Sequence, residues 1–102
     1  VEQYNDHLSN PWIAAERGRR VVPHCWKTGI GIAASAHLAA ACAPCSHIEF
    51  LPVELAESPL RRELLARELE VVNGRIVFSD APGLGVTLDR RALEKYEVDD
   101  RG

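Results

Sequence analysis

What most narrows the folds open to this chain is the order of three segments between Arg19 and Leu51. An apolar stretch, Val21-Val22-Pro23-His24, precedes an alanine-rich segment, and a second short apolar stretch runs from His47 to Leu51. Seven alanines between Ala33 and Ala43 favour helix strongly. Thr28 and Gly29 open that helix, and Pro44 stops it, because proline has no N–H and its ring clashes with the preceding turn. Strand, helix and strand in that order describe a βαβ crossover, which requires parallel strands. Parallel α/β folds build their sites at the C-terminal ends of their strands. The pattern therefore predicts the His24 imidazole and the Glu49 carboxyl on one rim, as a candidate acid–base pair.

Size and charge exclude several function classes. The 102 residues are a one-domain length, and 46% apolar with 26% charged residues is ordinary for a globular chain. A net charge of −3, with basic residues interleaved among acids as in Arg61-Arg62-Glu63, leaves no electrostatic footprint for nucleic acid. No apolar run approaches the ~20 residues of a membrane span. The N-terminus lacks a basic stretch followed by an apolar core, so no secretory signal is expected. Three cysteines (Cys25, Cys42, Cys45) cannot all pair within one chain, and free thiols in a reducing cytoplasm are expected. Met is absent even at position 1, as in a processed, cloned or truncated piece of a longer product.

Local signals predict the remaining elements. Residues 1–10 are polar and aperiodic, a linker or non-matching start. Pro11 to Gly18 reads as a helix end, with Gly18 as its left-handed cap. Leu60, Leu64 and Leu65 give a short amphipathic helix with charges opposite. Val71-Val72-Asn73-Gly74-Arg75-Ile76-Val77 is a hairpin around a type I′ turn. Pro82-Gly83-Leu84-Gly85 is a rigid structural loop without the strand-then-helix setting of a phosphate loop. Asp89 caps a terminal helix with Leu93 and Tyr96 on its inner face. The expected class is α/β: a βαβα segment over 11–70, then hairpin, loop and C-terminal helix over 71–102.

Other side chains invite rival chemistry. Cys42, Cys45 and His47, with His24 and Cys25 nearby in sequence, offer three of the four ligands of a small Zn²⁺ site. Against it, no second paired motif exists, and Cys42 belongs to a helix where small buried residues are expected. A thioredoxin-like role is weaker, since the pair ends a helix instead of opening one. His37, among alanines, reads as a packed histidine.

In order along the chain come Val21-Val22-Pro23-His24, His37-Leu38-Ala39-Ala40-Ala41, Ile48-Glu49, Asn73-Gly74-Arg75-Ile76, Pro82-Gly83-Leu84-Gly85-Val86 and Leu93-Glu94-Lys95-Tyr96. This succession, from roughly Ile13 to Val98, resembles the C-terminal end of the mandelate racemase/muconate lactonizing enzyme group of the enolase superfamily. The resemblance implies a partial (β/α) barrel segment holding the last two barrel strands, with the hairpin and tail returning to a capping domain. It implies that His24 abstracts or returns the proton α to a substrate carboxylate. By the same resemblance Glu49 hydrogen-bonds that carboxylate and stabilises the enediolate, and Trp26 and Lys27 face substrate from the next loop. Such a proton is very weakly acidic, so its removal needs a base titrating near neutrality and strong stabilisation of the developing charge. Histidine, whose free side chain titrates near pH ~6.5, suits the first need, and in the family Mg²⁺ meets most of the second.

The departures are large. The family's three acidic metal ligands, its histidine-orienting aspartate and its lysine base lie on earlier strands, which this chain does not contain. The implied function is the C-terminal part of a racemase or sugar-acid dehydratase acting on a small carboxylate or sugar acid, with no metal bound by this chain alone and no activity in isolation. The alternative is a non-catalytic remnant or structural module. Open strand edges and helix faces made for neighbours predict a homo-oligomer or a partner chain in either case.

Overall fold

A computed structural model describes residues 12–99; the expectation for residues 1–10 lies outside them. Helix α1 covers residues 12–16. Gly18 follows at φ +62°, its N–H bonding the Ala15 carbonyl at 3.1 Å while the Arg19 N–H reaches back to Ala14 at 2.8 Å. These two bonds are a Schellman motif, the stop that glycine at this position predicts.

Helix α2 spans Gly29–Ala41, with the Thr28 hydroxyl accepting from the Gly31 N–H at 3.3 Å. It ends two residues before Ala43: the Cys42 N–H turns back to the Ala39 carbonyl, and a turn leads into Pro44. Gly29, Ile32, Ala33 and Ala36 form its buried stripe at i, i+3, i+4 and i+7. The glycine matters for packing, because a Cβ at position 29 would lie 2.4 Å from Leu65 Cδ1.

The two segments flanking α2 are not regular strands, a correction to the expected βαβα pattern. Two backbone bonds join them: Val21 N–H to the Pro44 carbonyl and Glu49 N–H to the Pro23 carbonyl, each 3.1 Å. The partners advance together along both segments, the order of co-directional neighbours. Pro23 has no N–H to return, so the pairing never becomes a ladder.

Among the described residues the ladder of two strands is the hairpin instead. Strands β1 (Val71–Val72) and β2 (Arg75–Ile76) pair antiparallel, Val71 opposite Ile76 and Val72 opposite Arg75. Asn73 at φ +51° and Gly74 at φ +73° make the type I′ turn.

After a 3₁₀ turn, Val53–Leu55, comes helix α3 (Pro59–Glu63), and helix α4 spans Arg90–Tyr96. The Asp89 carboxylate caps α4, accepting from the Arg91 N–H at 2.8 Å and the Ala92 N–H at 3.2 Å. Its backbone N–H bonds the Leu64 carbonyl at 2.8 Å, and the Ala66 N–H bonds Thr87 at 2.8 Å, tying the helices together. Leu93 is exposed, against expectation, and Ala92 is buried in its place. Lys95 and Tyr96 reach Glu63 on α3, so the facing side of α4 runs through 92, 95 and 96 at i, i+3 and i+4, and Leu93 falls outside it.

Leu64 and Leu65 are buried, but not on the helix their spacing predicts: α3 stops at Glu63, and Leu65 beyond it pairs with Leu88. Nor are the charges of α3 all opposite them, since Arg61 is wholly buried. No helix among the described residues is long and apolar enough to cross a membrane.

Candidate functional site

The segments on either side of α2 bring His24 and Glu49 together. The Glu49 N–H is fastened to the carbonyl of Pro23, the residue before His24, at 3.1 Å. That tie sets the two side chains abreast, and the imidazole Nδ1 meets a carboxylate oxygen of Glu49 as a hydrogen-bonded pair. Both remain open to solvent, with 63% of the His24 side chain and 45% of the Glu49 side chain exposed. With the proton on Nδ1, the carboxylate accepts it and Nε2 presents a lone pair outward.

Of the other two expected site residues, Trp26 joins this pair and Lys27 does not. The Trp26 ring lies 5.6 Å from the imidazole, tilted 38°. Lys27 is exposed in the same loop and makes no hydrogen bond or ion pair with either His24 or Glu49. The loop is held against the first turn of α2 by Cys25. A Cβ at Gly31 would lie 2.2 Å from the Cys25 sulfur, so glycine there lets helix and loop close.

The remaining candidates do not assemble. Cys42 and Cys45 are buried, while His47 is exposed with Nδ1 against the Ser46 hydroxyl at 2.8 Å. Burial, and then the neighbouring Cys42, push the Cys45 thiol above its ordinary pKa, which disfavours the thiolate that a metal needs. Among the described residues no three His, Cys, Asp or Glu side chains converge on a possible ion. The zinc reading thus finds no site, and these residues do not fit the Mg²⁺ implied for the family.

His37 Nε2 lies 3.1 Å from the Leu84 carbonyl, and its ring meets Phe78 edge-on at 4.8 Å. It packs α2 against the glycine loop, in the structural role expected of both.

Sequence reasoning overlooked Arg61. Its guanidinium donates to Glu68 through both terminal nitrogens, at 2.9 and 3.0 Å, and to the Leu51 carbonyl at 2.9 Å. A partial signal was present in Arg61, Leu64 and Leu65, at the i, i+3 and i+4 spacing that sets an arginine beside apolar residues.

Comparison with known proteins adds a second line. A family model described as "Enolase C-terminal domain-like" matches residues 11–92. The chain is 36% identical over 94 residues to D-galactarolactone cycloisomerase of Agrobacterium fabrum (strain C58), covering 86% of this chain and 25% of that protein. It is 29% identical over 85 residues to arabinonate dehydratase of Saccharolobus solfataricus, covering 83% of this chain and 22% of that protein. The chain thus spans about a quarter of the length of these curated relatives.

Proposed function

This chain belongs to the enolase C-terminal domain-like family, and on that footing we propose that it is the last strand-and-helix part of a barrel enzyme that moves the proton α to a sugar-acid carboxylate. His24 is the base and acid, and Glu49 holds the substrate carboxylate. The observation that carries this reading is the pairing of those two side chains, exposed and side by side. The two relatives support the substrate class, since their names describe a cycloisomerase of a sugar-acid lactone and a dehydratase of a sugar acid.

The pairing has a chemical use. A carboxylate cannot donate to another carboxylate, so Glu49 binds an anionic substrate group only when it carries a proton. That proton comes from solvent and sits on Oε1, because Oε2 accepts from His24 Nδ1–H. The imidazole is then neutral with its Nε2 lone pair free to accept the α-proton, and the carboxyl donates from Oε1 to the substrate. The Trp26 ring stands beside the imidazole, and Lys27 in the same loop adds a positive charge for an anion. Mg²⁺ in such an enzyme would stabilise the developing enediolate. Its ligands and the second base belong to parts of the protein beyond this quarter, which by itself is inactive.

The test is a chimera in which this chain replaces the corresponding quarter of the Agrobacterium relative. Deuterium enters the carbon α to the carboxylate of D-galactarolactone in D₂O, and His24→Asn abolishes the exchange. A folded chimera whose exchange ignores His24→Asn would refute the assignment.

Exposed apolar side chains favour a second reading alongside the first. Trp12, Val22, Trp26 and Phe78 are each about half exposed, apolar surface that association would withdraw from water. We infer that the chain by itself associates with copies of itself or with a partner chain. Light scattering that finds a monomer at micromolar concentration, with a cooperative melt, would contradict this.

A further inference from the structure

Arg61 is fully excluded from solvent, although burying a guanidinium is costly and its Nε–H has no partner. What it does satisfy is directional. The fork grips Glu68 with both terminal nitrogens, and one of them also donates to the Leu51 carbonyl. The guanidinium carbon lies 5.9 Å from the centre of the Phe50 ring. Phe50 and Leu51 are the two residues that follow Glu49.

The segment carrying Glu49 has little else to hold it. It forms no ladder, and the two backbone bonds that join it to the neighbouring segment, at Pro44 and at Glu49, both lie at or before Glu49. Neither holds the chain beyond Glu49. Arg61 supplies the next fastening, two residues on. Its planar fork fixes the directions of its bonds to a carboxylate and a carbonyl, whereas the rotatable donors of a lysine do not.

We propose that Arg61 is a positioning residue for Glu49: braced by Glu68, it fixes the Leu51 carbonyl and so the backbone that presents the Glu49 carboxyl to His24. The idea rests on the reading of Glu49 as the carboxylate-holding group. Its test, however, uses geometry alone and stands apart from whether the reaction occurs.

The test uses the 102-residue chain, isotopically labelled, by nuclear magnetic resonance. In the unaltered chain, an Arg61 Nη proton shows a through-hydrogen-bond correlation to the Leu51 carbonyl; a folded chain without it overturns the proposal. In Arg61→Lys, hydrogen-exchange protection of the Glu49 amide falls about tenfold, while the Leu93 amide in α4 keeps its protection. Equal loss at both amides would mark Arg61 as a general stabiliser, and loss at neither would mark it as idle; each overturns the proposal. Should Arg61→Lys fail to fold, Glu68→Gln decides by the same criterion, with an expected loss of about threefold confined to Glu49.

Discussion

His24 Nδ1 and Glu49 Oε2 form a hydrogen-bonded pair although 25 positions separate them in the chain. The whole of α2 lies between them, so their meeting records how the segments before and after that helix return to each other. The proton-sharing arrangement proposed for them separates two substitutions that look alike. In the chimera, Glu49→Leu lowers the rate of α-proton exchange by about 10²–10³, the usual loss of one donor at a developing oxyanion. Glu49→Gln keeps an N–H donor and falls between Leu and the parent. Equal losses for Gln and Leu would mean that Glu49 does not act as a donor.

Gly31 and Cys25 offer a change of sign. Gly31→Ala inserts a Cβ about where the Cys25 sulfur sits. Such overpacking typically costs ~1–3 kcal/mol, more than the helix-propensity gain of about 1 kcal/mol. Urea unfolding is therefore expected to show a net loss. With Cys25→Ala in place the obstacle is gone, and Gly31→Ala then stabilises by up to about 1 kcal/mol. The same effect in both backgrounds would refute the contact.

The clasp between α3 and α4 sets a pH window. Lys95 donates to both oxygens of Glu63, the shorter contact 2.8 Å, and the Tyr96 hydroxyl donates at 2.9 Å. The Lys95 hydrogen bond, then that of Tyr96, holds the Glu63 carboxyl below its ordinary pKa, and Glu63 holds Lys95 above its own. A depressed carboxylate contributes stability that is fully present above its unfolded pKa and lost as pH falls through the folded one. A raised ammonium contributes stability that is present below its unfolded pKa and lost as pH rises through the folded one. The clasp is thus complete from above the ordinary carboxylate range to below the ordinary lysine range, and solvent screening keeps its worth small. Carbon-detected titration of the Glu63 carboxyl is expected to show a midpoint that Lys95→Met moves upward and Tyr96→Phe moves less. An unmoved midpoint in Lys95→Met would show that the clasp is absent in solution.

At the hairpin turn the cost of a substitution is purely conformational. Gly74 has φ +73°, and a Cβ there would meet no atom within 4 Å. Gly74→Ala is therefore expected to destabilise by about 1 kcal/mol, the cost of left-handed backbone for an L-residue, seen as a lowered thermal midpoint. A neutral result would exclude the I′ geometry.

Much of the local architecture was legible because its causes are local. The Thr28 cap, the stop at Gly18, the Asn73-Gly74 turn and the Asp89 cap each act through groups within five residues of one another. The site was legible in part. His24 and Glu49 were read from the ends of two apolar stretches, and the structure brings their side chains into contact. The stretches themselves did not become strands. A strand is completed by its neighbours, and Pro23 cannot complete one from within.

Arg61 shows the other limit. A charged side chain at helical spacing with two leucines reads equally well as a surface residue whose stem covers apolar neighbours. Only the arrival of Glu68 and the Leu51 carbonyl at its fork makes burial tolerable. Leu93 is the converse, an apolar residue left outside because the face of α4 that meets α3 runs through Ala92, Lys95 and Tyr96.

By itself, then, the order of residues determined the family, the helix and turn boundaries to within about two residues, and which ionisable groups end the two flanking segments. Only the tertiary structure decided that those groups touch, that an arginine is buried to brace one of them, and which side of the last helix faces inward. The physical reason is range: caps and turns draw on backbone torsions and near neighbours, whereas burial and pairing depend on what the rest of the chain brings to each side chain.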